Sequence, residues 1–228
     1  MFLGPSLPAP TARGLLAADY RPPLRRGDLD AITAPALVAV IDGILEPELR
    51  LPPEEARRAA KRGLCLFGAA SVGALLATDP SIPGVVAGVG RVHRLLRRGR
   101  ALPDDVAVLY AAHDLRPLTV PVVDALCWLD DAAASGRLAS RGAAEAALAA
   151  LRALPIEDRT PAAVARVLRH HLGPLTPKPG DPAFPSAKAL DAQRMLRVLG
   201  AILRRAGSIG GWRRGVPMHP PSDGGPAQ

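Results

Sequence analysis

Through the first hundred residues, short fully apolar runs alternate with amphipathic stretches. Met1 to Gly4 is one such run, Leu37 to Ile41 (Leu-Val-Ala-Val-Ile) a second, and Leu64 to Phe67 (Leu-Cys-Leu-Phe) a third. A run that is apolar at every position fits a strand covered on both faces, so a parallel sheet flanked by helices is expected. Between the second and third runs, Pro52-Pro53-Glu54-Glu55 opens a helix with proline and acidic residues at its positive end. Lys61-Arg62-Gly63 closes it with cations and glycine. A second helix is expected near Ser71, and a third from Val85 through Arg91, Arg94 and Arg98 to Gly99. Asp105 to Ala111 reads as a further strand or strand-like edge.

Beyond residue 112 the period changes. Thr119 to Ala134, Ser140 to Ala153 and a stretch opening at Thr160-Pro161 and reaching about His170 all carry helical spacing, with Thr160 as N-cap. Residues 173–185 hold too many prolines and glycines for regular structure and read as an extended connector. Ser186 to Ala206 is the last expected helix, and 207–228 reads as a mobile tail. The fold class is therefore α/β. An N-terminal parallel sheet with flanking helices precedes a mainly helical C-terminal half, residues 1–172 forming the core.

The 228 residues, 48% of them hydrophobic, are enough for a substantial core, and no apolar run approaches the roughly 18 residues that cross a bilayer. With no basic leader before an apolar stretch, a cytoplasmic protein is the expectation. Cys65 and Cys127 lack the paired spacing of a zinc site and read as reduced, buried small hydrophobes. The net charge of +8 is carried by arginine, for Lys61, Lys178 and Lys188 are the only lysines. That charge points to an anionic partner. With aromatics at 3% and no nucleic-acid-binding signature, an acidic protein surface fits better than nucleic acid, the alternative being arginines that only solvate helix faces. No Walker motif occurs, and Gly84, Gly88 and Gly90 do not form a dinucleotide fingerprint, so no cofactor and no metal are expected. Those glycines read as a tight turn with close helix packing.

Ligands of open parallel sheets sit beyond the carboxyl ends of the strands, and three such loops resemble one another. They are Gly4-Pro5-Ser6, Asp42-Gly43, and Gly68-Ala69-Ala70-Ser71-Val72-Gly73. Small residues there let the backbone approach a ligand and offer N–H groups to an anion. The third imitates a nucleophile elbow, with Ser71 either a nucleophile or simply the helix N-cap. His93, His113, the His170-His171 pair and His219 are thin choices for a base. Asp42 reads as a carboxylate that orients a base or partner group, or as a turn cap before Gly43.

In joint order and spacing these elements resemble TfuA-like proteins over roughly residues 1 to 170. The resemblance rests on Phe2-Leu3-Gly4-Pro5-Ser6-Leu7, Arg21-Pro22-Pro23, Arg26-Gly27-Asp28, Ile41-Asp42-Gly43, Phe67-Gly68-Ala69-Ala70-Ser71 and Gly73-Ala74-Leu75. It continues in Gly88-Val89-Gly90, Asp105-Val106-Ala107-Val108 and Asp158-Arg159-Thr160. It implies work beside a YcaO enzyme that modifies a ribosomally made precursor peptide, by hydrolysing a thiocarboxylated ubiquitin-like carrier such as ThiS to release sulfide. It also implies a serine with a lysine partner. The serine carried over is Ser71, with Ser6 the lesser choice, and the oxyanion donors would come from Gly4, Gly43, Gly68, Ala69, Ala70, Val72 and Gly73. Where family members carry His-Lys-Glu, the lysine's place falls on Glu54, and Val72 and Leu76 stand where Met and Arg are usual. The alternative is a non-enzymatic adaptor whose Arg91, Arg94, Arg97, Arg98 and Arg100 contact an acidic surface.

Overall fold

The computed structural model describes residues 1–138, 140–174 and 176–208. Its centre is a three-stranded parallel sheet, β1 (Leu37–Val40), β2 (Cys65–Ala69) and β3 (Val86–Val89), in the order β1-β2-β3. Leu37 pairs with Cys65 and Leu66 with Val86. Alternate strand residues point to opposite faces, and both faces are covered, which is why the runs are apolar throughout. On one face Val38, Val40, Leu66 and Val86 pack under α2 (Pro53–Lys61) and α3 (Val72–Leu76). On the other, Ala39, Ile41 and Ala69 pack under α1 (Ala9–Leu15) and α8 (Ala187–Ser208), whose Ala192, Met195, Leu196 and Leu199 are fully buried.

Helix α4 (Arg91–Arg97) follows β3 and leads to the helical half, α5 (Val122–Ala134), α6 (Arg141–Ala153) and α7 (Pro161–Leu172), which share a core around Trp128, Leu151 and Leu168. Ser140 and Thr160 cap α6 and α7 by accepting from Ala143 N and Ala163 N. The α/β class, the parallel sheet and the helical second half are thus as the pattern predicts. The tail expected beyond 207 lies, from 209 on, outside the described residues.

Three expectations are corrected. Met1 to Gly4 is not a strand; only Phe2 bridges, to Arg21 and Val40. The ladder stops because the Gly4 N–H turns to the Asp42 carboxylate and Pro5 has no N–H. Val85 does not start a helix, since Val86–Val89 is β3; the β-branched Val86 and Val89 suit a strand, Gly88 leaves room for the His93 ring, and α4 starts only after Gly90 at φ 106°. Asp105 to Ala111 is no strand either. Pro103–Val106 is one 3₁₀ turn, because the Asp105 carboxylate is drawn inward to the Leu102 N–H and to Arg152 at 2.7 Å. Smaller differences follow from the same logic: α5 begins at Val122, after Pro121. Cys65 is half-buried rather than buried, and burial pushes the Cys127 thiol up to about 12.

Candidate functional site

The three loops singled out in the sequence leave the carboxyl edge of the sheet and converge. Glycine makes the convergence possible. A Cβ on Gly43 would strike the Leu24 carbonyl and the Val72 side chain, one on Gly68 the Gly73 carbonyl, and one on Gly73 the Val40 carbonyl. Helix α3 therefore lies directly on β1 and β2, with the 42–43 turn against its first residue.

Asp42, 2% exposed, closes the first loop onto the second. Its Oδ2 accepts from Gly4 N at 2.9 Å and Ser6 N at 3.1 Å, and its Oδ1 accepts from Ser6 Oγ at 2.6 Å. The carboxylate thus caps the loop across the crevice instead of its own turn, and it fixes the direction of the Ser6 hydroxyl. Ser71 is also buried, at the N-cap position of α3, yet its side chain makes no capping hydrogen bond. The strained residue of that turn is Ala70, at φ 64°. The strand-turn-helix path resembles an elbow, but the serine stands one position past the left-handed residue.

The residue that sequence reasoning missed is Lys188. It is 2% exposed on the sheet-facing side of α8, and its Nζ donates to the Val106 carbonyl at 2.9 Å. Its backbone N–H donates to Asp124 Oδ1, so a carboxylate from α5 caps α8. Burial lowers the Lys188 pKa from the ordinary lysine value, while the charges of Asp42 and Asp124 pull it back up. Burial in turn raises Asp124, and a hydrogen bond from Ser186 and the Lys188 charge oppose that rise. The charge of Asp42, which holds Ser6, is therefore felt by the one buried lysine among the described residues. A signal for it exists: Lys188, Ala192, Met195 and Leu199 share one helical stripe, and a lysine on an apolar stripe of an arginine-rich chain is out of place.

Residues 42–160 match the family model described as TfuA-like protein. The chain belongs to the TfuA-like family. No curated protein matches it. The segment matched as TfuA-like contains Asp42 and Ser71, whereas Ser6 and Lys188 lie on either side of it.

Other candidates of the TfuA-like reading fall elsewhere. Glu54, at the place assigned to the family's lysine, is exposed on α2, away from the crevice; its neighbour Glu55 is buried and accepts from the N–H groups of Gly27, Leu29 and Asp30. The His93 ring fills the space a Gly88 Cβ would need, and burial lowers its pKa, helped by Arg97 and Arg94. His113 is exposed beside Asp114. Of the loop N–H groups, Gly4 already serves Asp42, and Ser71 and Gly73 donate to the Ile41 carbonyl at 3.2 and 3.4 Å. Arg91 is bound to Asp131 at 2.7 Å and Arg100 to Asp130 at 2.8 Å, whereas Arg94 is half-buried and Arg97 and Arg98 are exposed.

Proposed function

We propose that this TfuA-like chain is a cytoplasmic accessory hydrolase that works with a YcaO enzyme in thioamide-type modification of a ribosomally made peptide, releasing sulfide from a thiocarboxylated ubiquitin-like carrier. The observation that carries the reading is the 2.6 Å hydrogen bond from Ser6 to buried Asp42, with buried Lys188 under the influence of the same carboxylate. It favours Ser6 as nucleophile over Ser71, whose hydroxyl lacks even the capping bond its position offers. A lysine whose pKa is lowered by burial gives up its own proton more readily than an ordinary lysine, which suits it to the proton transfer that serine chemistry requires.

In this mechanism Ser6 Oγ attacks the carbonyl carbon of the thiocarboxylate and its proton passes, by way of the Asp42 carboxylate it already faces, to the Lys188 amine. Asp42 aims the hydroxyl, and the N–H groups of Gly43 and Val72 hold the oxyanion. The intermediate collapses by breaking the carbon–sulfur bond, and sulfide leaves with the proton from the Lys188 ammonium. Water then attacks the Ser6 ester with Lys188 again accepting the proton, returning the serine and freeing the carrier carboxylate. One water is consumed per sulfide, and no redox partner enters.

The test is sulfide release from a thiocarboxylated carrier by the purified chain. Ser6→Ala and Lys188→Met are expected to lower release by about a hundredfold or more with the circular dichroism spectrum unchanged, and Ser71→Ala to keep most of it. Loss in Ser71→Ala with retention in Ser6→Ala overturns the assignment of the nucleophile. No release by the unaltered chain overturns the hydrolase itself and leaves an adaptor that binds YcaO or the precursor peptide.

A further inference from the structure

A cleft of about 340 Å³ opens between α4, α5 and α8, on a different side of α8 from Lys188. Ala187, Leu190, Arg194 and Arg197 recur every three to four residues and form the stripe of α8 that faces it. Four guanidiniums line it, those of Arg91, Arg94, Arg194 and Arg197, against the carboxylates of Asp131 and Asp191. Both carboxylates are engaged. Asp131 pairs with Arg91, and Asp191 accepts from the backbone N–H groups of Arg91 and Val92 at 2.8 and 2.7 Å. Arg94 and Arg194 act on Asp191 only at range, and Arg197 donates to the neutral Gln193 amide. Among the described residues neither Arg94, Arg194 nor Arg197 has an ion-pair partner within 4 Å. The cleft carries a local excess of positive charge.

The rest of the wall is apolar. Leu190 is 51% exposed at the rim, beside Pro185. Trp128 is 7% exposed and stacks on Phe184 at 5.5 Å, and its indole N–H is buried with no acceptor among the described residues.

We propose that this cleft docks an acidic peptide segment of a protein partner, an extended stretch in which carboxylates alternate with aliphatic side chains. Glutamate or aspartate side chains meet Arg94, Arg194 and Arg197. An aliphatic side chain covers Leu190 and Pro185. Bidentate geometry makes arginine the better match for carboxylates. A single-stranded nucleic acid would meet the same charges but needs an open aromatic face for its bases, and the Trp128 face is closed by Phe184. The docking site stands whether or not the Ser6 site hydrolyses anything.

The experiment is fluorescence anisotropy on the full chain with a dye-labelled peptide of alternating Glu and Leu. The same peptide with Gln for Glu and a single-stranded RNA are the comparison probes. The acidic peptide is expected to bind, to weaken as salt rises, and to lose about tenfold in affinity in the Arg194→Glu/Arg197→Glu variant, with the thermal melt unchanged. Leu190→Ser tests the apolar contact separately and is expected to weaken binding by a few-fold. No binding of the acidic peptide, equal binding of the Gln peptide, equal affinity in the charge-reversed variant, or tighter binding of RNA each overturns the proposal.

Discussion

Two residues hold the crevice in its chemical state, and each acts through a different balance. Asp42 is satisfied by two N–H groups and a hydroxyl, so it pins the 4–6 loop as well as aiming Ser6. Asp42→Asn puts an amide nitrogen where an acceptor is needed. Lys188 places an amine in an apolar stripe, and burial, the leading effect, pushes its pKa below the ordinary 10.5. Between the lowered folded value and 10.5 the unfolded chain binds a proton that the folded chain does not, so this lysine makes stability rise with pH across that window. The proposed chemistry is tested by the same shift. If Lys188 is the base, sulfide release climbs with pH to a plateau whose inflection lies below that of a free lysine. In Lys188→Met the residual rate has no such inflection. Rates measured from neutral to alkaline pH on both proteins check this, and an unaltered inflection in Lys188→Met assigns the proton transfer to another group.

Among the elements, the turn from β2 into α3 depends on two glycines that face each other across a contact with no room for carbon. Gly73→Ala drives its Cβ into the Val40 carbonyl, a backbone atom that cannot swing aside, so α3 must lift from the sheet and carry Ser71 and Val72 with it. A loss of about 3 kcal/mol or more is expected, read as a lower urea midpoint, with Gly68→Ala similar. Exposed Gly14, where nothing stands within 4 Å, is the control and tolerates alanine. Much of this was legible in the sequence. The runs at 37–41 and 64–67 are apolar at every position because both sheet faces are covered, and small residues after each strand mark where the backbone crowds. What failed was local. Val85 to Gly90 reads as the start of a helix until the third strand claims its β-branched residues, and Asp105 to Ala111 reads as a strand until Arg152, 47 positions away, draws the carboxylate inward. Lys188 escaped for the same reason: its partners Val106, Asp124 and Asp42 are 64 or more residues distant, and nothing in its own neighbourhood states them.

In the whole molecule, α8 is the piece that makes one body of two halves. Its N-terminus is capped by Asp124 of α5, its Asp191 caps α4, and its apolar stripe covers the second face of the sheet. Yet α8 lies beyond the segment matched by the family model. Covering that face is a large fraction of what holds the chain folded. Met195, Leu196 and Leu199 are fully buried, and each truncation to alanine costs about 2–5 kcal/mol, against a total of about 5–15 kcal/mol for an ordinary domain. Leu199→Ala sits three turns from Lys188 and does not line the arginine cleft, so it isolates the scaffolding role. It is expected to lower stability by about 3 kcal/mol in urea titration while leaving sulfide release per folded molecule unchanged well below the midpoint. The double variant Met195→Ala/Leu199→Ala removes enough that α8 detaches before the rest unfolds. Because Lys188 and Asp191 travel on that helix, release and acidic-peptide binding then fall together at a denaturant concentration where the helical half retains its circular dichroism. If the two activities were lost at different concentrations, the crevice and the cleft would not share α8 as their common support.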